Sequence, residues 1–247
     1  MSRAVVLAGG EGTRLRPYTT VIPKPLMPVG DRPVVDIVLR QLCHAGFDRV
    51  TIATGYLAQL IETFCGDGSS YGLRIDYFRE EEPLGTAGAL ALIEELDEPF
   101  LVMNGDVLTD MRYDELFAEH VASGAATTIA TTMRSVEITL GVMRFHDEAD
   151  PGRVTDYVEK PTLAYDVSMG VYVFDPRVIR YIEPRVRLDF PDLILRLLAA
   201  GEEVRAHRPD AYWLDIGRHD DYEQAMAEFE TMRDRLLPRE LAPWMRG

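Results

Sequence analysis

The chain has 247 residues, of which 47% are hydrophobic and 27% charged, and its formal net charge is −15. This length and composition are typical of one large α/β domain, or of a domain with a small extension. No apolar run approaches the roughly 20 residues that cross a bilayer, and the N-terminal apolar stretch is too short for a signal peptide. The acidic balance disfavours nucleic-acid binding. We therefore expect a cytoplasmic protein without membrane or nucleic-acid partners.

The first half of the chain alternates short apolar runs with helical patterns. Strands are predicted at residues 4–8, 50–54, 73–78 and 99–106. Helices are predicted at residues 34–46, 57–65, 86–96 and 113–124. Apolar strands that alternate with helices predict an α/β fold with a mixed, mainly parallel sheet and helices on both faces.

Strand-like patterns dominate the second half. They cover residues 126–133, 141–145, 153–160 and 168–175, and helical patterns return at 191–201 and 220–236. No segment rich in Pro, Gly or Ser separates the halves. We therefore predict a single domain over residues 1–237 and a tail at residues 238–247, which is either exposed or an interface strip that uses Trp244.

A glycine-rich, basic loop follows the first predicted strand directly, in AVVLAGGEGTRLRPYTTVIPKPL at residues 4–26. Glycines at 9, 10 and 12 leave the backbone open to the close approach of a phosphate or a base. Arg14 and Lys24 offer charge to phosphate oxygens, whereas Arg16 fits a solvated surface charge. A basic loop on an acidic protein predicts an anionic ligand.

Two better-known phosphate-binding motifs do not fit this loop. A P-loop needs GxxxxGK[ST], which is missing here. A dinucleotide fingerprint needs a third small residue where Leu15 stands, and an acid after the second strand, where Thr54 and Gly55 stand. The spacing therefore argues against a nicotinamide-dependent enzyme.

Three charged residues follow later strand patterns. Asp106 closes a strand in NGD, where it also fits a turn residue. Asp215 lies among apolar residues in WLDIG, and a buried carboxylate is costly unless it meets a cation. Two such carboxylates suit Mg²⁺ shared with phosphate oxygens. Lys160 in VEKP follows a strand, and the alternative for it is a surface lysine beside a turn.

Together these motifs resemble the signature of the sugar-1-phosphate nucleotidyltransferases. The family's order is followed by LAGGEGTRLRPYTTVIPKPLMPV, EEEPLGTAGAL, VMNGDVL, VEKP and WLDIG. EEPLGTAG and NGDVL resemble the mannose-1-phosphate guanylyltransferases in particular. The resemblance implies a single-domain, Rossmann-like and GT-A-like fold, with a nucleotide-binding half over about residues 1–110 and a sugar-binding half over about residues 111–237.

The resemblance also assigns roles to residues. Arg14 and Lys24 would neutralise the triphosphate and the departing pyrophosphate. Asp106 and Asp215 would hold Mg²⁺, and Lys160 would orient the sugar phosphate. The implied nucleotide site comprises Leu7, Ala8, Gly9, Gly10, Gly12, Thr13, Arg14, Glu82, Pro83, Gly85, Thr86, Gly88, Asn104 and Gly105. The implied sugar-phosphate site comprises Gly141, Glu159, Lys160, Ser168, Gly170 and Tyr172. For Gly85, Thr86 and Gly88 the alternative is a plain helix start with Thr86 as N-cap.

The implied reaction is an in-line displacement, in which a sugar 1-phosphate attacks the α-phosphorus of a nucleoside triphosphate and pyrophosphate leaves. Guanine is expected by resemblance, and the other bases stay open. Ser168 and Met169 replace the Asn-Ala of the family, so mannose, heptose, glucose and cyclitol phosphates all stay open. A non-catalytic regulatory subunit is disfavoured because the five charged residues are all present. Many relatives continue into a left-handed β-helix, so any homodimer is expected to form through the catalytic domain.

Overall fold

The computed structural model describes residues 2–145, 150 and 152–237. Its strands are β1 (Ser2–Ala8), β2 (Pro28–Val29), β3 (Arg32–Pro33), β4 (Phe47–Thr54), β5 (Arg74–Arg79), β6 (Phe100–Asn104), β7 (Val107–Thr109), β8 (Thr127–Glu137), β9 (Val142–Phe145), β10 (Val154–Val158), β11 (Thr162–Phe174), β12 (Val204–His207) and β13 (Trp213–Asp215). Its helices are α1 (Val34–His44), α2 (Ala58–Cys65), α3 (Gly85–Gly88), α4 (Tyr113–Ser123), α5 (Phe190–Ala199) and α6 (His219–Leu236). The predicted tail, with Trp244, lies outside the described residues.

Within the described residues, seven strands form the main sheet in the order β12-β8-β11-β6-β1-β4-β5. β1 lies in the interior of the sheet and pairs in parallel with β4 on one side and β6 on the other. β11 runs antiparallel to both of its neighbours, β6 and β8. The prediction of a mixed, mainly parallel sheet is confirmed.

Both faces of the main sheet are buried. Ala4 and Val6 of β1 belong to the core cluster that includes α1 and α6, whereas Val5 belongs to the cluster that includes α5. This alternation follows from the strand geometry, which points successive side chains to opposite faces. Among the described helices, none combines the length and apolar character that a membrane crossing requires.

The predicted helix over residues 86–96 is wrong in extent. The α-helical part is α3 alone, and a 3-10 turn over Ala89–Leu92 follows it. The guanidinium of Arg3 donates to the carbonyl oxygens of Glu94 and Glu95, at 2.6 and 2.9 Å. Glu95 also has a positive φ of 60°. The positive φ of Glu95 does not fit a right-handed helix, and Arg3 holds the backbone in this conformation through these two carbonyl groups.

The second half pairs its strands over a longer length than predicted. β11 begins at residue 162 rather than 168, because its first residues pair with the end of β8, which reaches residue 137 rather than 133. We call residues 132–145 and 154–167 the arm. It consists of the outer ends of β8 and β11 together with the separate β9–β10 hairpin. The arm extends past the positions where β6 and β12 pair with the main sheet.

Candidate active site

A cleft of about 630 Å³ opens at the carboxyl ends of β1, β5 and β6. In open α/β sheets, this is the edge at which ligands bind, and the volume lies within the usual range for small-molecule sites. The structure brings thirteen of the fourteen predicted nucleotide-site residues to this cleft. Gly88 is the exception, because it is buried against the carbonyl oxygen of Val186. Their role as ligands stays a prediction.

The basic loop is anchored to the core by the side chain of Leu15. Leu15 is fully buried in the turn that follows Gly12, and the hydroxyl of Thr19 donates to the carbonyl oxygen of Gly12 at 2.8 Å. Arg14 is exposed beside the cleft. Arg16 pairs with Glu11 at 3.3 Å, and both side chains are largely exposed. Arg16 is thus the surface charge that the sequence allowed for, and Arg14 is left facing the cleft.

Lys24 joins the two predicted metal carboxylates. Its Nζ donates to a carboxylate oxygen of Asp106 and lies 3.9 Å from Oδ1 of Asp215. Burial and the neighbouring Asp106 raise the pKa of Asp215, and the cations of Lys24 and Arg14 oppose that change. The three groups form one compact charged cluster at the side of the cleft.

A short ribbon outside the main sheet brings these carboxylates together. β13 pairs antiparallel with β7, so that Asp215 lies opposite Val107. The N–H of Ile216 also donates to the carbonyl oxygen of Asp106 at 3.1 Å. Neither β7 nor β13 was predicted. The pairing places residues 106 and 215 at adjacent strand ends, although 109 positions of sequence separate them.

The predicted sugar-phosphate residues divide into two groups. Gly170 packs against Asn104, which lines the cleft, because a Cβ at Gly170 would lie 2.7 Å from the side-chain nitrogen of Asn104. The hydroxyl of Ser168 accepts the N–H of Gly170 at 3.2 Å. Tyr172 is 7% exposed and stacks within the core, and its hydroxyl accepts a hydrogen bond from Ser168 at 2.9 Å. Tyr172 can therefore act on the cleft only through Ser168.

The other group lies on the arm and does not line the cleft. Gly141 faces the hydroxyl of Tyr157, which donates to Glu159 at 2.9 Å. Lys160 is exposed in the turn between β10 and β11, with a positive φ of 46°. The structure thus places Gly141 and Glu159 beside one tyrosine but leaves Lys160 free at the surface.

Sequence analysis missed an acid that lines the cleft. Glu80 is half-buried, its Oε2 accepts the N–H of Leu84 at 3.1 Å, and its Oε1 lies 3.0 Å from the position that a Cβ on Gly9 would take. Burial raises the pKa of the Glu80 carboxyl. In the described part of the chain, no cation forms an ion pair with it. Its position directly after β5 is the signal that could have found it.

Comparison with known proteins decides the family. A family model described as nucleotidyl transferase matches residues 3–232. The chain belongs to this family. It is 34% identical over 97% of its length to a mannose-1-phosphate guanyltransferase of Candida albicans, and it covers 67% of that protein. It is also 34% identical over 91% of its length to a UTP--glucose-1-phosphate uridylyltransferase of Synechocystis, and it covers 62% of that protein.

Solved structures agree on the fold of this nucleotidyl transferase. The structure of HddC from Yersinia pseudotuberculosis is 26% identical, with a TM-score of 0.70, over 93% of this chain and 100% of that one. A glucose-1-phosphate thymidylyltransferase structure from Bacillus anthracis gives a TM-score of 0.74 at 24% identity, over 92% and 94% of the two chains. The chain spans about two thirds of the length of the relatives it matches by sequence.

The carboxylates of this nucleotidyl transferase fit a divalent ion shared with phosphate groups. Oδ1 of Asp106 is buried and has no hydrogen-bond partner among the described residues. Such an orphaned acceptor is costly unless a cation or donor reaches it. In the described ranges, no group of three or more His, Cys, Asp or Glu side chains is arranged so that it could hold a metal ion by itself. Two carboxylates fit a hard divalent cation that takes its remaining ligands from phosphate oxygens and water rather than from an all-protein cage.

The segment over residues 186–190, from the second half of the nucleotidyl transferase, forms hydrogen bonds with residues 84–88, which contain the GTAG loop. The N–H of Ala87 donates to the carbonyl oxygen of Leu188, and the N–H of Leu188 donates to that of Leu84, both at 2.9 Å. The hydroxyl of Thr86 accepts the N–H of Phe190 at 2.8 Å. Leu84, not Thr86, occupies the N-cap of α3, so the alternative of a Thr86 cap is wrong. No signal in the sequence links segments that lie a hundred residues apart.

Proposed function

We propose that the chain transfers a nucleotidyl group from a nucleoside triphosphate, GTP above all, to a sugar 1-phosphate such as mannose 1-phosphate or a related hexose or heptose phosphate. The observation that carries this proposal is the charged cluster of Lys24, Asp106 and Asp215 beside a glycine-rich loop in one cleft. Nucleotidyl transfer requires positioning and charge neutralisation more than covalent chemistry, and the cleft offers both.

The residues of the cleft would act on two anionic substrates. Arg14 and Lys24 face the triphosphate, and Lys160 offers a cation to the sugar phosphate. Asp106 and Asp215 would hold a divalent ion such as Mg²⁺, which supplies positive charge between the two phosphate groups when it is bound. The sugar phosphate is already an anion at neutral pH, so the reaction needs no general base.

Lysine usage supports this assignment. Lys24 and Lys160 are the chain's two lysines among its 26 basic residues. An ammonium is a compact point charge with freely rotating donors, whereas a guanidinium is a planar fork suited to fixed pairing. Most arginines in the described structure are in such pairs with carboxylates, as at Arg208 with Asp166.

Glu80 supports guanine as the base. Guanine carries N1–H and N2–H₂ donors side by side, and one carboxylate can accept from both. Uracil and thymine instead present a single N–H between two carbonyl oxygens, which would face the carboxylate of Glu80 unfavourably. The guanyltransferase relatives point the same way. The uridylyltransferase relative, at similar identity, makes UTP with glucose 1-phosphate the second candidate pair.

Pyrophosphate release tests the proposal. The purified chain is mixed with Mg²⁺ and mannose 1-phosphate, and GTP, ATP, UTP, CTP and dTTP are added in turn. Release with GTP is expected. Release with UTP and glucose 1-phosphate instead would select the second candidate pair. No pyrophosphate release with any of the five nucleotides, across a screen of sugar 1-phosphates, would overturn the reaction class.

Glu80→Gln sharpens the assignment of the base. It replaces one acceptor oxygen by a donor, so we expect the KM for GTP to rise by roughly 10-fold or more while the KM for the sugar phosphate stays unchanged. Glu223→Gln is the matched control, because Glu223 is exposed on α6 and does not line the cleft. An unchanged GTP preference in Glu80→Gln would remove this residue from base recognition.

A further inference from the structure

Arg134 is a cation that the proposed reaction does not use. It lies on β8 in the arm, it is exposed, and its guanidinium carbon is 5.1 Å from the ring centroid of Trp213. Arg144 of β9, also on the arm, instead has an acidic partner, Asp156, at 3.9 Å. Arg134 has no carboxylate partner among the residues that the structure describes.

The surroundings of Arg134 on the arm are uncharged. Its direct partner across the ladder is Tyr165 of β11. The next pairs on the same face, on either side, join Thr132 to Val167 and Val136 to Leu163. In a chain with a net charge of −15, a guanidinium without an acid beside it is a free site for an anion.

Trp213 fixes where that site lies. Leu214 is buried in the core while Trp213 and Asp215 are only partly buried, so both side chains lie on the outer face of β13. The indole N–H donates to the carbonyl oxygen of Met169 at 2.8 Å, which locks the ring beside Ser168. Residues two apart on a strand share a face, so Trp213, with the guanidinium over its ring, lies on the same face of β13 as the Asp215 carboxylate.

We propose that Arg134, supported by Trp213, binds an anionic group at the end of the sugar remote from C1. The proposal rests on the proposed nucleotidyl transfer and names the substrate class: a sugar 1-phosphate that carries a carboxylate or a second phosphate at its far end. A sugar phosphate held at the charged cluster would extend along this face of β13 toward Arg134. The flat guanidinium on a flat ring is preorganised for two parallel hydrogen bonds to such an anion.

The experiment compares neutral and anionic sugar phosphates in one assay. Mannose 1-phosphate, mannose 1,6-bisphosphate and mannuronic acid 1-phosphate are each supplied with the accepted nucleotide, and pyrophosphate release gives kcat and KM. We expect the intact chain to prefer at least one anionic sugar by roughly 10-fold or more in kcat/KM. We expect Arg134→Ala to remove that preference through KM, with kcat and the KM for the nucleotide unchanged.

Two further variants separate this role from a general charge effect. Arg134→Lys keeps the charge without the planar fork and is expected to recover part of the preference. Arg74→Ala is the matched control, since Arg74 is 71% exposed on β5 at the opposite edge of the sheet, and it is expected to change nothing. Melting temperatures of all variants check that folding is intact.

The outcomes distinguish this inference from the reaction itself. Turnover with a preference for the neutral sugar, or an anionic preference that survives Arg134→Ala, would overturn the role of Arg134 and leave the nucleotidyl transfer standing. The absence of pyrophosphate release with every sugar phosphate would instead overturn the proposed function.

Discussion

The floor of the cleft and the arm both carry cationic side chains, but these differ in burial and in pairing with acids. We call residues 7–14, 24 and 104–106 the floor. There, Lys24 is 12% exposed and already paired with Asp106 before any substrate arrives. On the arm, Lys160 and Arg134 are exposed and lack acidic partners among the described residues. The floor is preorganised, whereas the arm keeps its cations available to a ligand.

The difference follows from the position of each region in the sheet. The floor ends β1 and β6, which lie in the middle of the main sheet and are buried on both faces. The arm is made of two-stranded ribbons, which cannot bury both faces, and Met133 and Leu140 are accordingly more than 70% exposed. A buried charge is costly unless the protein supplies an opposite charge, whereas an exposed charge is stabilised by water and remains available to a ligand.

The largest expected effect comes from the carboxylates of the charged cluster. Asp106→Ala and Asp215→Ala should each lower kcat by at least about 10²- to 10³-fold, because each removes a group that places charge on the phosphates. The fold should survive, as seen by circular dichroism and melting temperature. Loss of the folded state in both variants would instead assign the two carboxylates to structure.

Removal of the ion tests the same cluster. Excess EDTA should abolish pyrophosphate release from the intact chain, and added Mg²⁺ should restore it. Turnover that persists in EDTA would show that the carboxylates serve only to pair with Lys24.

The next effect separates the two lysines. Lys160→Met should raise the KM for the sugar phosphate by roughly 10- to 100-fold and leave the KM for the nucleotide unchanged, since it removes one charged hydrogen bond on the arm. Equal changes in both constants would contradict the division between floor and arm.

Amine labelling gives an independent measure of that division, since the chain has two lysines. Lys160 should react quickly with an amine-selective reagent, because it is exposed, and Lys24 slowly, because it is buried against Asp106. Mass spectrometry follows each site, and a sugar phosphate should protect Lys160. Faster reaction at Lys24 would count against a preorganised floor.

A smaller effect is expected from the contact between the 186–190 segment and the GTAG loop. Gly85 has a φ of 78°, and a Cβ there would lie 2.5 Å from the carbonyl oxygen of Leu188. Gly85→Ala should therefore lower the free energy of unfolding by roughly 1–3 kcal/mol and raise the KM for the nucleotide. Gly46→Ala is the control, because its φ is also positive, at 88°, but its Cβ would meet no atom within 4 Å. An equal decrease in the free energy of unfolding in both variants would mean that the contact with Leu188 does not contribute to stability.

The smallest effect is expected on the arm surface. Leu140→Ser, at a side chain 72% exposed, should change the free energy of unfolding by less than about 0.5 kcal/mol, as measured by urea denaturation. A larger decrease in the free energy of unfolding would show that the Leu140 side chain is buried against another surface in solution. Sedimentation of the same variant would then test whether that surface belongs to a second copy, which bears on the predicted homodimer.

The sequence by itself determined much of the protein. Alternation of apolar strands with helices predicted the parallel sheet, because a strand buried on both faces must be apolar throughout. The AGGEGTR loop was predicted to follow a strand and NGD to close one, and the resemblance of the motifs predicted the family that the comparisons show. These features depend on local pattern alone.

The tertiary structure alone decided how distant segments complete the site. The pairing of β13 with β7 joins Asp215 to Asp106, the 186–190 segment shapes the GTAG loop, and the end of β8 lays Arg134 on Trp213. The non-helical backbone at Glu94 and Glu95 belongs with these, since Arg3 binds their carbonyl groups from 91 and 92 positions away in the chain. Each depends on partners that no local periodicity records.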